Sequence, residues 1–275
     1  MSKQQYFYII SGLPGLTVQD AHLPCSAKLF LDDLKNKIHG KDLKLVCTLY
    51  YTRDNRNLLC ILFNKNNFTQ TEGCYSMQEL KKGMEGNYLL PYYMSDFIAL
   101  FKDNRNMYEE SMWEAKLTEA YFKEVTKTEN EFLNQWMEFE LNLKNLLLVM
   151  SNRKQALPFS EIVIGANEIS SLMTENPSAD FSMQPSIDFT DQVVKIIETE
   201  NLIERERQID TLRWKKLEEM TLFNYFTIEA ILRFVIKLMI IERWAILKQQ
   251  QGKDFLSSIL NGFTEKIKTA EVENV

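Results

Sequence analysis

The chain has 275 residues, 45% apolar and 25% charged, with nine glycines, six prolines and a formal net charge of -6. That length is enough to bury a sizeable core in roughly one to three compact units. So few glycines and prolines exclude a collagenous or low-complexity chain and argue against a β-sandwich. The acidic balance argues against a general nucleic-acid binder, whose phosphate contacts need a basic face.

The chain opens with "YFYIISGLPGL", an aromatic start followed by a Gly-Pro-Gly turn. The glycines invite a phosphate-loop reading, but no GK[ST] follows and Pro14 removes a backbone donor. "SAKLFLDDLKNKI" then reads as an amphipathic helix with Leu29, Phe30, Leu34 and Ile38 on one face. "DLKLVCTLYYTRDNRNLLCILFN" keeps helical period at Leu45, Val46, Leu49, Leu59, Leu62 and Phe63, with the polar "TRDNRN" expected to split or kink it. "SMQELKKGMEG" predicts a short helix ended by glycine, and "LPYYMSDFIALFK" another that starts near Ser95 or Asp96.

Residues 108 to 151 hold apolar positions at Trp113, Leu117, Tyr121, Val125, Phe132, Trp136, Phe139, Leu143 and Leu146/Leu147, with no proline or glycine among them. Two long helices or one bent helix fit. "RKQALPFSEIVIG" reads as a short connection. The stretch "ANEISSLMTENPSADFSMQPSIDF" is rich in Ser, Asn, Asp and Pro and reads as a linker or irregular segment. Helical spacing resumes at Val194, Ile197, Ile209, Leu212 and Leu217, and the charged tail after about Glu265 is expected to fray. The expected organisation is an all-α chain with an N-terminal block over 1–164, a linker over 165–187 and a C-terminal block over 188–275.

The most apolar stretch, "NYFTIEAILRFVIKLMIIERWAIL" (224–247), is broken by Arg233, Lys237, Glu242 and Arg243. A membrane span needs about 18 or more consecutive apolar residues, and these pieces are far shorter. Ile231, Leu232, Val235, Leu238, Met239, Glu242 and Ile246 recur at steps of three and four, so this is a long helix buried on most of its circumference. Thr227 stands at its N-cap region, and the charges face outward or snorkel along the rim.

The residues offer little chemistry. His22 and His39 are the only histidines, and neither has a neighbouring nucleophile and carboxylate. Cys25, Cys47, Cys60 and Cys74 lack CxxC spacing, so zinc sites are not indicated, and no secretory signal precedes them. They read as thiols in a reducing, cytoplasmic compartment. Carboxylates in "EFELN" and "ETENLIERE" read as solvated or as partners of bases one helical turn away. "LRWKKLEE", with Arg213 beside Trp214, reads as a solvated face carrying one anchored tryptophan. The expectation is a non-enzymatic protein with no cofactor and no metal.

Two segments are alike: "RDNRNLLCILFNK" (53–65) and "ELNLKNLLLVMSNRK" (140–154) share Asn-Leu-Leu, with Asn57 aligned to Asn145 and Leu62 to Met150. A third, "IIERWAILK", keeps the acidic residue, and Trp244 takes the place of the amide. On spacing alone these are recurring amphipathic helix ends. The pattern of an acidic residue, Asn-Leu, an apolar pair and a basic end resembles the repeated helix motif of the C-type subunits of V-type and archaeal-type ATPases, the d-type subunits of eukaryotes. Asp54 with Asn57 and Leu58, Glu140 with Asn145 and Leu146, and Glu242 carry it. "YFTIEAIL" resembles the start of that family's last repeat at Phe226, Thr227, Ile228 and Glu229, with Ala230 where the family has proline.

More widely, "SGLPGL", "LPYYMSDF" and "LRWKKLEEMTLFNYFTIEAILRFVIKLMIIERW" resemble an uncharacterised bacterial family encoded beside V-type ATPase subunits. The resemblance implies multi-helix bundles with weak internal repeats. It also implies a non-catalytic coupling subunit whose partners are the central rotor stalk and the proteolipid ring. Such a protein is cytoplasmic, lies peripheral to the inner membrane through those partners, and binds no nucleic acid. The alternative is a helical adaptor or assembly factor for the same complex.

Overall fold

The computed structural model describes residues 5–18, 23–65, 72–155, 163–165, 168–175 and 188–248. Every regular element among them is an α-helix. In chain order these are α1 (Phe7–Ser11), α2 (Ala27–Leu34), α3 (Gly40–Leu62), α4 (Met77–Met84), α5 (Tyr92–Asn104) and α6 (Glu110–Val125). They continue with α7 (Glu131–Lys154), α8 (Glu168–Glu175), α9 (Thr190–Glu198) and α10 (Leu202–Met220). The last, α11, spans residues 228–248.

Side-chain caps set the starts of α2, α3, α4, α7 and α10. Ser26 Oγ accepts the Leu29 N–H at 3.1 Å to open α2. Ser76 and Glu79 form a reciprocal capping box at α4, and Gly86 (φ 80°) follows that helix in the left-handed region open to glycine. The 108–151 run is two helices, and neither proline nor glycine divides them. Thr128 Oγ1 donates to Asn134 Oδ1 (2.7 Å) and the Asn134 amide donates back to the Thr128 carbonyl (2.7 Å). Asn130 Oδ1 then accepts the Leu133 N–H at 2.9 Å to start α7. Short polar side chains compete with the helix for backbone groups, which is why "TKTEN" ends one helix and caps the next.

Four expectations need correction. α3 runs unbroken through "TRDNRN", because Asp54, Asn55 and Asn57 turn inward and are buried. Leu29 is 65% exposed, and Leu31 takes its place on the core face of α2. α5 begins at Tyr92, directly after Pro91, a turn earlier than Ser95. On α9 the buried valine is Val193, with Val194 half-buried.

α5 packs on α6, α6 on α3 and α7, and α7 on α9, which also meets α10. One core cluster joins buried side chains from α2 through α11, with Trp113 inside an aromatic group of Phe97, Phe101 and Tyr108. Contacts cross the expected division of the chain. Phe234 of α11 packs against Phe30 of α2 with the rings tilted at 58° and their centres 4.9 Å apart, and Arg213 of α10 pairs with Glu140 of α7 at 2.8 and 3.0 Å. Within 165–187, Glu168–Glu175 is helical and residues 176–187 lie outside the described residues, as does the tail after Glu265.

Candidate functional site

The residues singled out by the repeat are mostly interior. Asp54, Asn57, Leu58, Asn145, Leu146, Glu229 and Glu242 are buried, Glu140 and Thr227 are partly buried, and Phe226 is exposed. Burial of so many polar groups demands partners, and the partners form a pattern.

On α3, the Asp54 carboxylate accepts the Cys74 N–H (3.0 Å) and the Tyr75 N–H (3.1 Å), in the loop that leads into α4. On α7, Asn145 donates to the Ile164 carbonyl (2.7 Å) and accepts the Ile164 N–H (3.0 Å), in the loop ahead of α8. On α11, Glu242 accepts the Ala27 N–H at 2.9 Å, at the first residue of α2. Each long helix thus holds the backbone of a segment entering a shorter helix. The third of these pins ties the last helix to the first pair, since the other oxygen of Glu242 binds Arg53 of α3 and Tyr50 of α3 donates to the Ala27 carbonyl at 2.6 Å.

On α3 the loop contacts described are those of Asp54, one turn before Asn57, which is itself fully buried. Glu140 pairs with Arg213 across the fold instead of with a base on its own helix. Trp244 donates to Asp210 Oδ2 at 2.8 Å and pins no loop. Asp210, which sequence reasoning missed, is 1% exposed and also receives Arg213 and Arg243. Trp214 is buried, with the Lys237 ammonium 4.2 Å from its ring centre and Glu218 bonded to both. Arg213 and Trp214 are thus parts of the helix–helix contact and not a solvated face. Glu242 and Lys237 likewise point inward, against the expectation that they line the rim.

Burial raises the Asp54 pKa from the ordinary 3.8 to about 6, against the two backbone donors, which lower it. Between those values the folded chain binds more protons than the unfolded one, so stability falls as pH rises from about 4 to about 6. The expected difference is at most about 3 kcal/mol, and Asp54→Asn should lack it. Urea unfolding of both proteins at about pH 4.5 and pH 7.5 checks this. Gly73 leaves room for the same carboxylate: a Cβ there would lie 2.6 Å from Asp54 Cγ. Gly73→Ala should cost about 1–3 kcal/mol in denaturant unfolding, because a short buried side chain cannot yield.

The exposed positions lie elsewhere. The Tyr6 N–H donates to the Phe226 carbonyl at 2.7 Å, its hydroxyl meets Asp42, and it accepts the His39 N–H at 3.3 Å. Burial and Asp42 push the Tyr6 pKa up to about 12. Asn130, the cap of α7, donates to Glu229 at 3.2 Å, and Thr227 also bonds Glu229. The beginnings of α3, α7 and α11 are tied to this framework. On it Phe7, Tyr8, Leu222, Phe223, Tyr225 and Phe226 are exposed, with the Phe7 and Phe226 rings 4.5 Å apart. These are apolar side chains left open to solvent.

A cleft of about 390 Å³ between α5 and α6 is lined by Tyr92, Asp96, Phe97, Lys116, Lys123 and Glu124 among others, with no histidine, cysteine or serine. His39 caps α3, and His22 lies outside the described residues. No group of His, Cys, Asp and Glu among the described residues is arranged to hold a metal ion, and no described helix is long and apolar enough to cross a membrane.

A family model described as "Protein of unknown function (DUF2764)" matches residues 1–267. The chain belongs to the DUF2764 family. No curated protein and no solved structure matches it. The three backbone pins and the aromatic end are thus features of a DUF2764 chain.

Proposed function

We propose that this DUF2764 chain is a non-catalytic coupling subunit of a bacterial V-type ATPase, held between the central rotor stalk and the proteolipid ring. The observation that supports it best is the threefold use of one device: a buried polar group on α3, α7 and α11 holding a segment that enters a short helix. The resemblance to the C-type subunits implies three similar helical bundles, and a repeat built into the core agrees with that. The task is mechanical. A body that transmits torque needs stiffness, and the ion pairs joining α10 to α7 and α11, with Glu242 joining α11 to α2 and α3, supply cross-links between helices.

A second reading, a helical adaptor or assembly factor for the same complex, draws on the aromatic end, which suits transient docking as well as permanent assembly. Both readings put the chain in the cytoplasm, at the inner membrane only through its partners. The test is purification of the assembled ATPase from cells carrying a tagged copy. Recovery of this chain in fixed proportion to the stalk proteins supports the coupling role. Recovery only with partly assembled complexes favours the assembly factor, and recovery with neither overturns both.

A further inference from the structure

We propose that Cys47 and Cys74 form an oxidation site, joined by exchange with a small disulfide such as oxidised glutathione into a bond that fastens the 73–75 loop to α3. The two lie 27 residues apart in sequence, one within α3 and one in the loop held by Asp54, and both are partly buried free thiols. The Cys74 thiol donates to the Cys47 carbonyl oxygen at 3.7 Å, and each thiol shifts the pKa of the other. The two Asp54 bonds hold the loop backbone on either side of the Cys74 side chain, which keeps its sulfur against α3 at Cys47.

The pair is also chemically unequal. The adjacent Cys74 thiol, with Lys35 and Lys28 nearby, lowers the Cys47 pKa, while Cys47 and burial raise that of Cys74. Cys47 is therefore the attacking sulfur. Its thiolate attacks one sulfur of oxidised glutathione, the S–S bond breaks, and one glutathione thiolate leaves. The Cys74 thiol then gives up its proton, and its sulfur displaces the second glutathione thiolate from Cys47. One small disulfide is reduced to two thiols as two protein thiols become one disulfide. The other two cysteines stand apart, Cys25 ahead of α2 and Cys60 near the end of α3, and burial raises the pKa of each.

The experiment treats the reduced full chain with excess oxidised glutathione, then alkylates it and measures intact mass and peptide linkage. The expected result is a loss of two of the four alkylatable thiols. It comes with a mass decrease of about 2 Da before alkylation and a peptide linking Cys47 to Cys74. Cys60→Ser should leave this unchanged, and Cys47→Ser should abolish it. Four thiols still alkylated, a stable glutathione adduct in place of the bridge, a different pairing, or bridge formation in Cys47→Ser would each overturn the proposal.

Discussion

Replacing Glu242 with alanine is expected to lower the free energy of unfolding by about 3–5 kcal/mol, the range for removing one partner of a buried ion pair. The side chains of Arg53 and Glu242 are 18% and 10% exposed, so water reaches neither freely. Loss of the carboxylate leaves the Ala27 N–H without its acceptor and takes the Glu242 charge away from the Arg53 guanidinium. Arg53 keeps a bond to the Glu72 carbonyl at 3.3 Å and lies over the Tyr50 ring, which limits the damage to the lower part of that range. Glu242→Gln retains an acceptor for Ala27 and should cost less than alanine. A double-mutant cycle with Arg53→Met measures the coupling directly. A loss below about 1 kcal/mol for Glu242→Ala would show that the pair behaves as a solvated one.

Leu238→Ala should cost about 2–5 kcal/mol, the span for a leucine removed from a packed interior. Leu232, Val235 and Leu238 are fully buried, and Met239 is partly so, which makes one side of α11 part of the core. The cost combines lost transfer free energy with the cavity left behind. It should appear in urea unfolding as a lower midpoint with an unchanged slope. A cost under about 0.5 kcal/mol would place this face at the surface and make it a candidate for binding. The two substitutions act on the same helix through different physics. Glu242 fixes where α11 docks, and Leu238 fills the space that docking encloses.

Much of the architecture was legible in residue order. Helical spacing over 228–248 and charges at intervals settle against a membrane span, and the helix sits in the core as that spacing implies. Ser76 with Glu79 and Gly86 mark both ends of α4. These signals are local, since a cap is read by groups within a turn of it. "TRDNRN" shows where local reading stops. Its polarity predicts an interruption, yet α3 continues, because Asp54 finds its donors at Cys74 and Tyr75. The repeat was visible as Asn-Leu-Leu, but that Asp54, one turn before Asn57, holds a distant loop was not, since both are polar residues that local reading places outside.

The sequence by itself determined that this chain is helical, where helices such as α4 end, and that 228–248 belongs to the interior. Each of those follows from periodicity or capping within a few residues. Tertiary structure alone decided which polar groups are buried. A carboxylate such as Glu242 or Asp210 leaves water only if donors wait for it. Those donors come from Ala27 and Arg53 in one case, and from Arg213, Arg243 and Trp244 in the other. No stretch of neighbouring residues contains that information, because the cost of desolvation is local while the compensating hydrogen bonds are made across the fold.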